Sequence, residues 1–455
     1  MILSLYYIRF LKPPPIKCEL YQPFNIVWTI ESDLGDHSFD QPVLLTCQTT
    51  KSSIVDIKFL PINKPTKKRK KGNDNNNNNG KEIIEEQQQK PSNLLYEPQR
   101  GSSGIVTRMM LVPTSDNNDK NMDQYKRKGK KQNNKPTVLD TTKILDIQLE
   151  FSLSTEYRKK NDKGIKNKDL YMEHKTWYHA YCIDASKSIF DDNNNYNNNE
   201  MWIIPIWSVP IQLDTSPNRQ NINEIYTKDP SSGQQAQRVI MVGDDQLIYI
   251  YEDIEESIAR HVWDCGLVMC DFINKNKKTL NCQHIIELGS GTGIVGVYTA
   301  MALKPKSMDL TDLSDAVNIL QQNIDTNFNN RKKAEMELTI EAKVLPWGPF
   351  QQLITKNKIK DDNDMLLWQQ NDKKIDMILL TDVLYNYSSH DILLETLTWL
   401  IEINPKARVL LGYKERNSDE RSFFTKINQH PLLYCIKNEH QLPPPFEIYW
   451  ILKKK

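Results

Sequence analysis

The apolar residues of this chain change rhythm near position 240. Beyond it, short apolar runs alternate with longer segments in which apolar residues recur every three or four positions. Runs of the first kind predict buried strands; segments of the second kind predict helices lying on a sheet. Ile258, His261, Val262, Cys265, Val268, Met269 and Phe272 share one face of a helix expected over Ser257–Phe272. Strands are expected at His284–Leu288, Ser307–Thr311, Glu337–Val344, Asp376–Thr381, Arg408–Tyr413, Leu433–Lys437 and Phe446–Leu452. Helices are expected at Thr292–Met301, from a Ser314 cap to about Asn327, from a Ser388 or Ser389 cap to about Ile403, and around Glu420–Ile427. No helix separates the last two strands, so they should pair antiparallel. The pattern is an α/β, Rossmann-like sheet of seven strands ending in a hairpin.

Residues 1–239 read differently. Short runs rich in β-branched and aromatic residues lie at Met1–Leu11, Phe24–Ile30, Gln41–Cys47, Ile144–Leu153, Thr176–Ile183 and Met201–Leu213. They predict a β-rich region, a sandwich or small barrel. Three insertions interrupt it, at about 62–90, 114–136 and 191–200. They consist largely of Lys, Asn, Gln and Asp and bury too little apolar area to offset chain entropy, so they are expected to be disordered. Two regions follow: 1–239, and a second α/β region over 240–455.

Composition narrows the classes. Net charge is +1, so the balance of charge neither favours nor disfavours nucleic acid. The basic runs Lys67–Lys71 and Lys126–Lys131 fit solvated loops, nuclear-import signals or nucleic-acid patches. Seven cysteines form no Cys-x-x-Cys pair. That argues against a disulfide framework or zinc ribbon and for a reducing compartment. The apolar start holds Arg9 and is too short for a membrane span. A protein of the cytoplasm or nucleus, without a membrane segment, is expected.

The chemistry concentrates in one turn. His284–Leu288 runs into Gly289-Ser290-Gly291-Thr292-Gly293 and then a helix. Glycines there permit positive φ and close approach of a ligand to the backbone, while helix N–H groups face it. Asp312 ends the next strand, where a carboxylate can accept hydrogen bonds from both ribose hydroxyls. These features imply a nucleoside-type cofactor and leave S-adenosylmethionine and NAD both open.

Four stretches resolve that choice through a resemblance. Ile258–Leu267 contains Trp263-Asp264; Glu287–Gly293 is the glycine turn; Val344-Leu345-Pro346-Trp347-Gly348 follows the third strand; Asp382-Val383-Leu384-Tyr385 follows the fourth. In this order they resemble the class I, seven-strand methyltransferases, and more narrowly methyltransferase family 16, which includes many protein-lysine methyltransferases. The likeness covers about 245–455.

It implies S-adenosylmethionine as cofactor and a protein lysine as acceptor. Glu287, Gly289, Gly291 and Gly293 would line the methionine and ribose portion, and Asp312 with the adjoining Leu313 would hold the ribose. Trp347 would pack on the adenine, Trp263 would close the pocket near the methionine end, and Thr381 would contribute backbone. Asp382 and Tyr385 would line the acceptor channel, with Asp382 orienting the lysine. The resemblance calls for no metal. Pro346 and the segment Tyr413-Lys414-Glu415-Arg416 depart from the family pattern. A catalytically silent cofactor-binding protein and a nucleic-acid methyltransferase remain as alternatives, the second disfavoured because no Asn-Pro-Pro-Tyr/Phe signature is present.

Overall fold

In the computed structural model the described residues are 4–62, 93–98, 104–114, 144–154, 175–176, 201–215, 229–243, 246–254, 260–348, 374–438 and 445–455. Most of the three low-complexity insertions, and the expected strand Thr176–Ile183 beyond Thr176, lie outside them.

The C-terminal region is built on seven strands: β1 (His284–Leu288), β2 (Ser307–Asp312), β3 (Thr339–Val344), β4 (Met377–Thr381), β5 (Arg408–Lys414), β6 (Leu433–Lys437) and β7 (Phe446–Lys453). Their order is β3-β2-β1-β4-β5-β7-β6. The first five are parallel, and β7 inserts antiparallel between β5 and β6. The expected terminal hairpin is therefore present. Ile285, Ile286, Met377, Ile378, Leu379 and Leu380 are buried, as expected of strands covered on both faces.

Among the described residues six α-helices flank or connect these strands: α1 (Asp264–Asn276), α2 (Ile294–Leu303), α3 (Val317–Asn327), α4 (Asn330–Glu335), α5 (His390–Ile403) and α6 (Ser422–Gln429). Three boundaries differ from the periodicity. α1 starts at Asp264, because Trp263 is extended and the Val262 N–H is drawn to the Glu252 carboxylate at 2.7 Å. Ser314 does not cap α3; its N-cap is Ala316. Ser389 precedes α5 without a side-chain cap, and Asn386 instead accepts the Ser388 N–H in the turn before it.

The N-terminal region forms two six-stranded sheets and a three-stranded one. In the first large sheet Ser4–Lys12 and Phe24–Glu31 are central; in the second Leu149–Leu153 joins Val43–Thr49 to Ile206–Ser208. Trp28 and Phe10 of one sheet meet Phe151 of the other at ring separations of 6.4 and 5.1 Å, a sandwich core. Two expected strands are in fact several. Ile144–Leu153 divides at Gln148, and its halves join different sheets. Met201–Leu213 breaks near Pro205 and Pro210 into three strands in three sheets. Proline removes a ladder donor, which is why the chain changes partner there.

The regions share a core. A hairpin of Gln235–Val242 and Gln246–Asp253 crosses residue 239–240 and extends the second sheet. Its Ile240, Ile248 and Ile250, with Leu5 and Tyr7, pack in one cluster with Val262, Leu267 and Val297. Asn323 and Asn327 of α3 pair with the outer edge of that hairpin. Asn327 accepts the Tyr249 N–H at 2.9 Å and donates to its carbonyl at 2.8 Å; Asn323 does the same at Tyr251, at 2.7 and 3.1 Å. A sheet edge that would otherwise invite pairing is thereby closed.

Candidate functional site

A cavity of about 300 Å³ opens at the carboxyl ends of β1, β2 and β4. This is the switch point of the sheet, where strand order reverses on either side of β1. The glycine turn forms one wall. Gly289, Gly291 and Gly293 have φ of 68°, 56° and 78°, which only glycine adopts without strain. Gly289 also lies against Trp347: a Cβ there would sit 3.2 Å from the indole and 2.9 Å from Val383. Gly293 does not line the cavity. It is the N-cap of α2, and a Cβ on it would clash with Leu320, so it lets α2 pack closely on α3.

Asp312 is set by backbone. Its two carboxylate oxygens accept the N–H groups of Gly291 and Leu313, each at 2.7 Å. Burial raises its pKa and these donors counter it. Glu287 is fully enclosed, and burial pushes its carboxyl up to about 8. Glu287 Oε2, Ser290 Oγ and Thr381 Oγ1 are buried without a hydrogen-bond partner among the described residues. Three unsatisfied polar atoms around one cavity are what a polar ligand would complete.

The opposite wall is held by α5. Gly348 donates to Thr396 Oγ1 at 3.1 Å, fixing the Trp347-Gly348 step, and the buried His390 ring contacts the Leu384 carbonyl at 2.9 Å, fixing the segment after β4. Asp382, Val383 and Tyr385 of that segment face the cavity. Asp382 adopts φ 57°, a left-handed conformation usually left to glycine. Leu313, Tyr385 and Ile392 line the cavity while 54, 47 and 38 % exposed, so they form an apolar rim at its mouth.

Asp382 is not a lone carboxylate. It accepts a hydrogen bond from Arg416, just beyond β5. Arg416 also lies 5.3 Å over the Trp263 ring and donates to Asp33 Oδ2 at 3.0 Å. Lys414 donates to the same Asp33 oxygen at 3.0 Å and to Asp264. All five side chains are at most 17 % exposed. Burial raises the Asp382 pKa, and Arg416 opposes that rise.

Of the residues singled out in the sequence, Trp263, Glu287, Gly289, Gly291, Asp312, Leu313, Trp347, Thr381, Asp382 and Tyr385 meet in this cavity; Gly293 stands just outside it. His261, Ser290, Val383 and Ile392 also line it without having been singled out for a role. Their neighbours in the glycine turn and the Asp382 segment were the available signal for Ser290 and Val383.

The sheet order and the site together define a Rossmann-like methyltransferase. The chain belongs to the lysine methyltransferase family, whose model matches residues 242–430. Protein N-lysine methyltransferase METTL21A of Danio rerio is 30 % identical over 173 residues, 38 % of this chain and 68 % of that protein. EEF1A lysine methyltransferase 3 of Xenopus tropicalis is 27 % identical over 159 residues, 35 % of this chain and 59 % of that protein. A UPF0665 family protein of Schizosaccharomyces pombe is 28 % identical over 264 residues, 56 % of this chain and 67 % of that protein. S-adenosylmethionine is the methyl donor of the family, and the cavity's unsatisfied polar atoms suit its amino, carboxylate and hydroxyl groups.

Proposed function

We propose that the protein transfers the methyl group of S-adenosylmethionine to the side-chain amine of a lysine in a protein substrate. The observation that carries this is the single cavity with a nucleoside cradle at Gly289, Gly291 and Asp312 and a carboxylate–aromatic pair, Asp382 and Tyr385, at its other wall. The family and its named lysine methyltransferase relatives support the same reading.

When bound, the cofactor would supply an electrophilic methyl group on a sulfonium, open to in-line attack by an amine lone pair, with the neutral thioether as leaving group. The chain's own residues supply alignment. Asp312 would hold the ribose hydroxyls, Glu287 the methionine end, and Trp347 the face of the adenine. Asp382 retains acceptor capacity beyond its bond to Arg416, because a carboxylate has about four lone-pair sites. It would receive the lysine ammonium, with Tyr385 as an aromatic wall. The amine must be neutral to react, and deprotonating a lysine of pKa about 10.4 at pH 7 costs about 4.6 kcal/mol. Burial at this wall lowers that cost; Asp382 raises it, so its role is capture and orientation, with the proton leaving to water. The apolar rim of Leu313, Tyr385 and Ile392 suits a protein surface around the target lysine.

A nucleic-acid acceptor is the competing outcome. Tritiated S-adenosylmethionine is incubated with the protein and a heat-inactivated cell lysate. Label should survive RNase and DNase and be lost with protease; label lost with nuclease overturns the lysine assignment. The six described cysteines are free thiols, in keeping with the proposed cytoplasmic or nuclear residence, which imaging of a fluorescent fusion would contradict by showing a secretory pattern.

Glu287 makes cofactor binding pH-dependent. With its carboxyl pushed up to about 8 by burial, Glu287 is protonated at neutral pH in the free enzyme. A ligand carrying a cationic amine favours the ionised form. Affinity for S-adenosylhomocysteine should therefore rise from pH 6 to 8, by up to about tenfold per pH unit, with proton release. Calorimetry in buffers of differing ionisation enthalpy measures this. An unchanged slope in Glu287→Gln would refute the assignment.

A further inference from the structure

Resting on the lysine-methyltransferase reading above, we propose that the β-rich half contributes a residue to the methyl-acceptor site: Asp33 anchors Arg416 and Lys414 behind Asp382 and leaves that buried cluster one positive charge short, the charge an acceptor lysine brings.

Asp33 follows the strand Phe24–Glu31, more than 380 residues from its partners in the chain. Its position is fixed from three sides. Its carbonyl accepts Arg9 Nη2 at 2.7 Å, its Oδ1 accepts the Leu34 N–H at 3.0 Å, and its Oδ2 takes both Lys414 and Arg416. The strand that carries it thereby sets the rotamer of Arg416, and Arg416 in turn grips Asp382. Among the five, Asp382 is the one that lines the cavity. The rest stand behind it and act on a substrate through it.

The cluster holds three carboxylates, Asp33, Asp264 and Asp382, against two cations, Lys414 and Arg416. Of the other charged groups packed around it, Arg9 pairs with Glu31 and Arg238 with Glu252, while the buried Glu420 adds no cation: its carboxylate accepts the Arg416 backbone N–H at 3.1 Å. Tyr7, Cys265 and Tyr385 have raised pKa values and stay uncharged, while burial lowers that of His261 and keeps it neutral. Burial, reinforced by the Asp33 carboxylate, drives the Asp264 carboxyl well up. Burial works against the charge on Asp33, but the Asp264 hydrogen bond and the Arg416 and Lys414 cations hold its pKa down. An incoming ammonium beside Asp382 supplies the third cation that three carboxylates facing Lys414 and Arg416 lack. A cluster balanced without Asp33 would have no such preference for a cation.

The test compares wild type, Asp33→Asn, Arg416→Gln and Asp36→Asn, the last an exposed carboxylate of the same loop. Initial rates of tritium transfer into lysine are measured against the concentration of heat-inactivated lysate and against pH, beside calorimetry with S-adenosylhomocysteine. Asp33→Asn should raise the half-saturating lysate concentration about tenfold. It should also move the midpoint of the acid limb to lower pH at saturating lysate, because a less stabilised ammonium loses its proton more easily. Arg416→Gln should move that midpoint to higher pH, and gives a second reading should Asp33→Asn fold poorly. Asp36→Asn should match wild type, and S-adenosylhomocysteine affinity should hold in Asp33→Asn. An acid limb unmoved in Asp33→Asn, or moved equally in Asp36→Asn, overturns the proposal. A wild type that labels no lysine instead refutes the parent reading.

Discussion

Asp382→Asn is expected to lower methyl transfer by on the order of 10²–10³-fold while leaving S-adenosylhomocysteine affinity within about twofold. The substitution is chosen for its geometry. Asp382 sits at φ 57°, and asparagine is the residue that tolerates that conformation nearly as well. The amide oxygen can still accept a hydrogen bond from the Arg416 guanidinium, so the segment after β4 should hold its place. What disappears is the charge that faces the incoming ammonium, together with part of the order it imposes on Arg416. The loss should fall on transfer and not on the cofactor, whose cradle at Gly289, Gly291 and Asp312 lies on β1 and β2. Steady-state transfer and calorimetry on one preparation check both halves; parallel losses in the two would place Asp382 in the cofactor site.

Asp312→Ala should do the reverse. Each hydrogen bond to a charged group contributes about 1.5–3 kcal/mol, so losing two from the ribose weakens cofactor binding about 10²-fold or more. A second effect adds to it. The Asp312 carboxylate accepts the Gly291 and Leu313 N–H groups at 2.7 Å, so alanine also releases the glycine turn. Rates at saturating cofactor should recover much of the loss, because the acceptor wall is untouched. Calorimetric titration with S-adenosylhomocysteine measures the affinity; an unchanged affinity would remove Asp312 from the cofactor site.

Much of the α/β half was legible in its sequence. Parallel strands buried on both faces are apolar runs, and Met377–Leu380, and Ile285–Leu288 broken only by Glu287, announce themselves in that way. The cofactor side of the site was legible for a related reason: a strand, a glycine turn and a helix are contiguous, so local residues make the geometry. Element ends were less legible, because tertiary partners set them. Glu252 pulls Val262 out of the helix that its apolar spacing predicts. In the β-rich half, Pro205 and Pro210 were readable breaks within Met201–Leu213, but which sheet each piece joins depends on pairings far along the chain. Asp33 was not legible at all. Glu31-Ser32-Asp33-Leu34-Gly35-Asp36 reads as an acidic turn, and nothing local points to Arg416.

Methyl transfer to lysine is decided by the identity of the labelled amino acid. Lysate protein labelled by the protein and tritiated S-adenosylmethionine is hydrolysed to amino acids and resolved by chromatography, with Asp382→Asn run in parallel. Label should co-migrate with methylated lysine for wild type and stay near background for Asp382→Asn. Label in another amino acid, or equal methyllysine from both proteins, would contradict the proposed transfer.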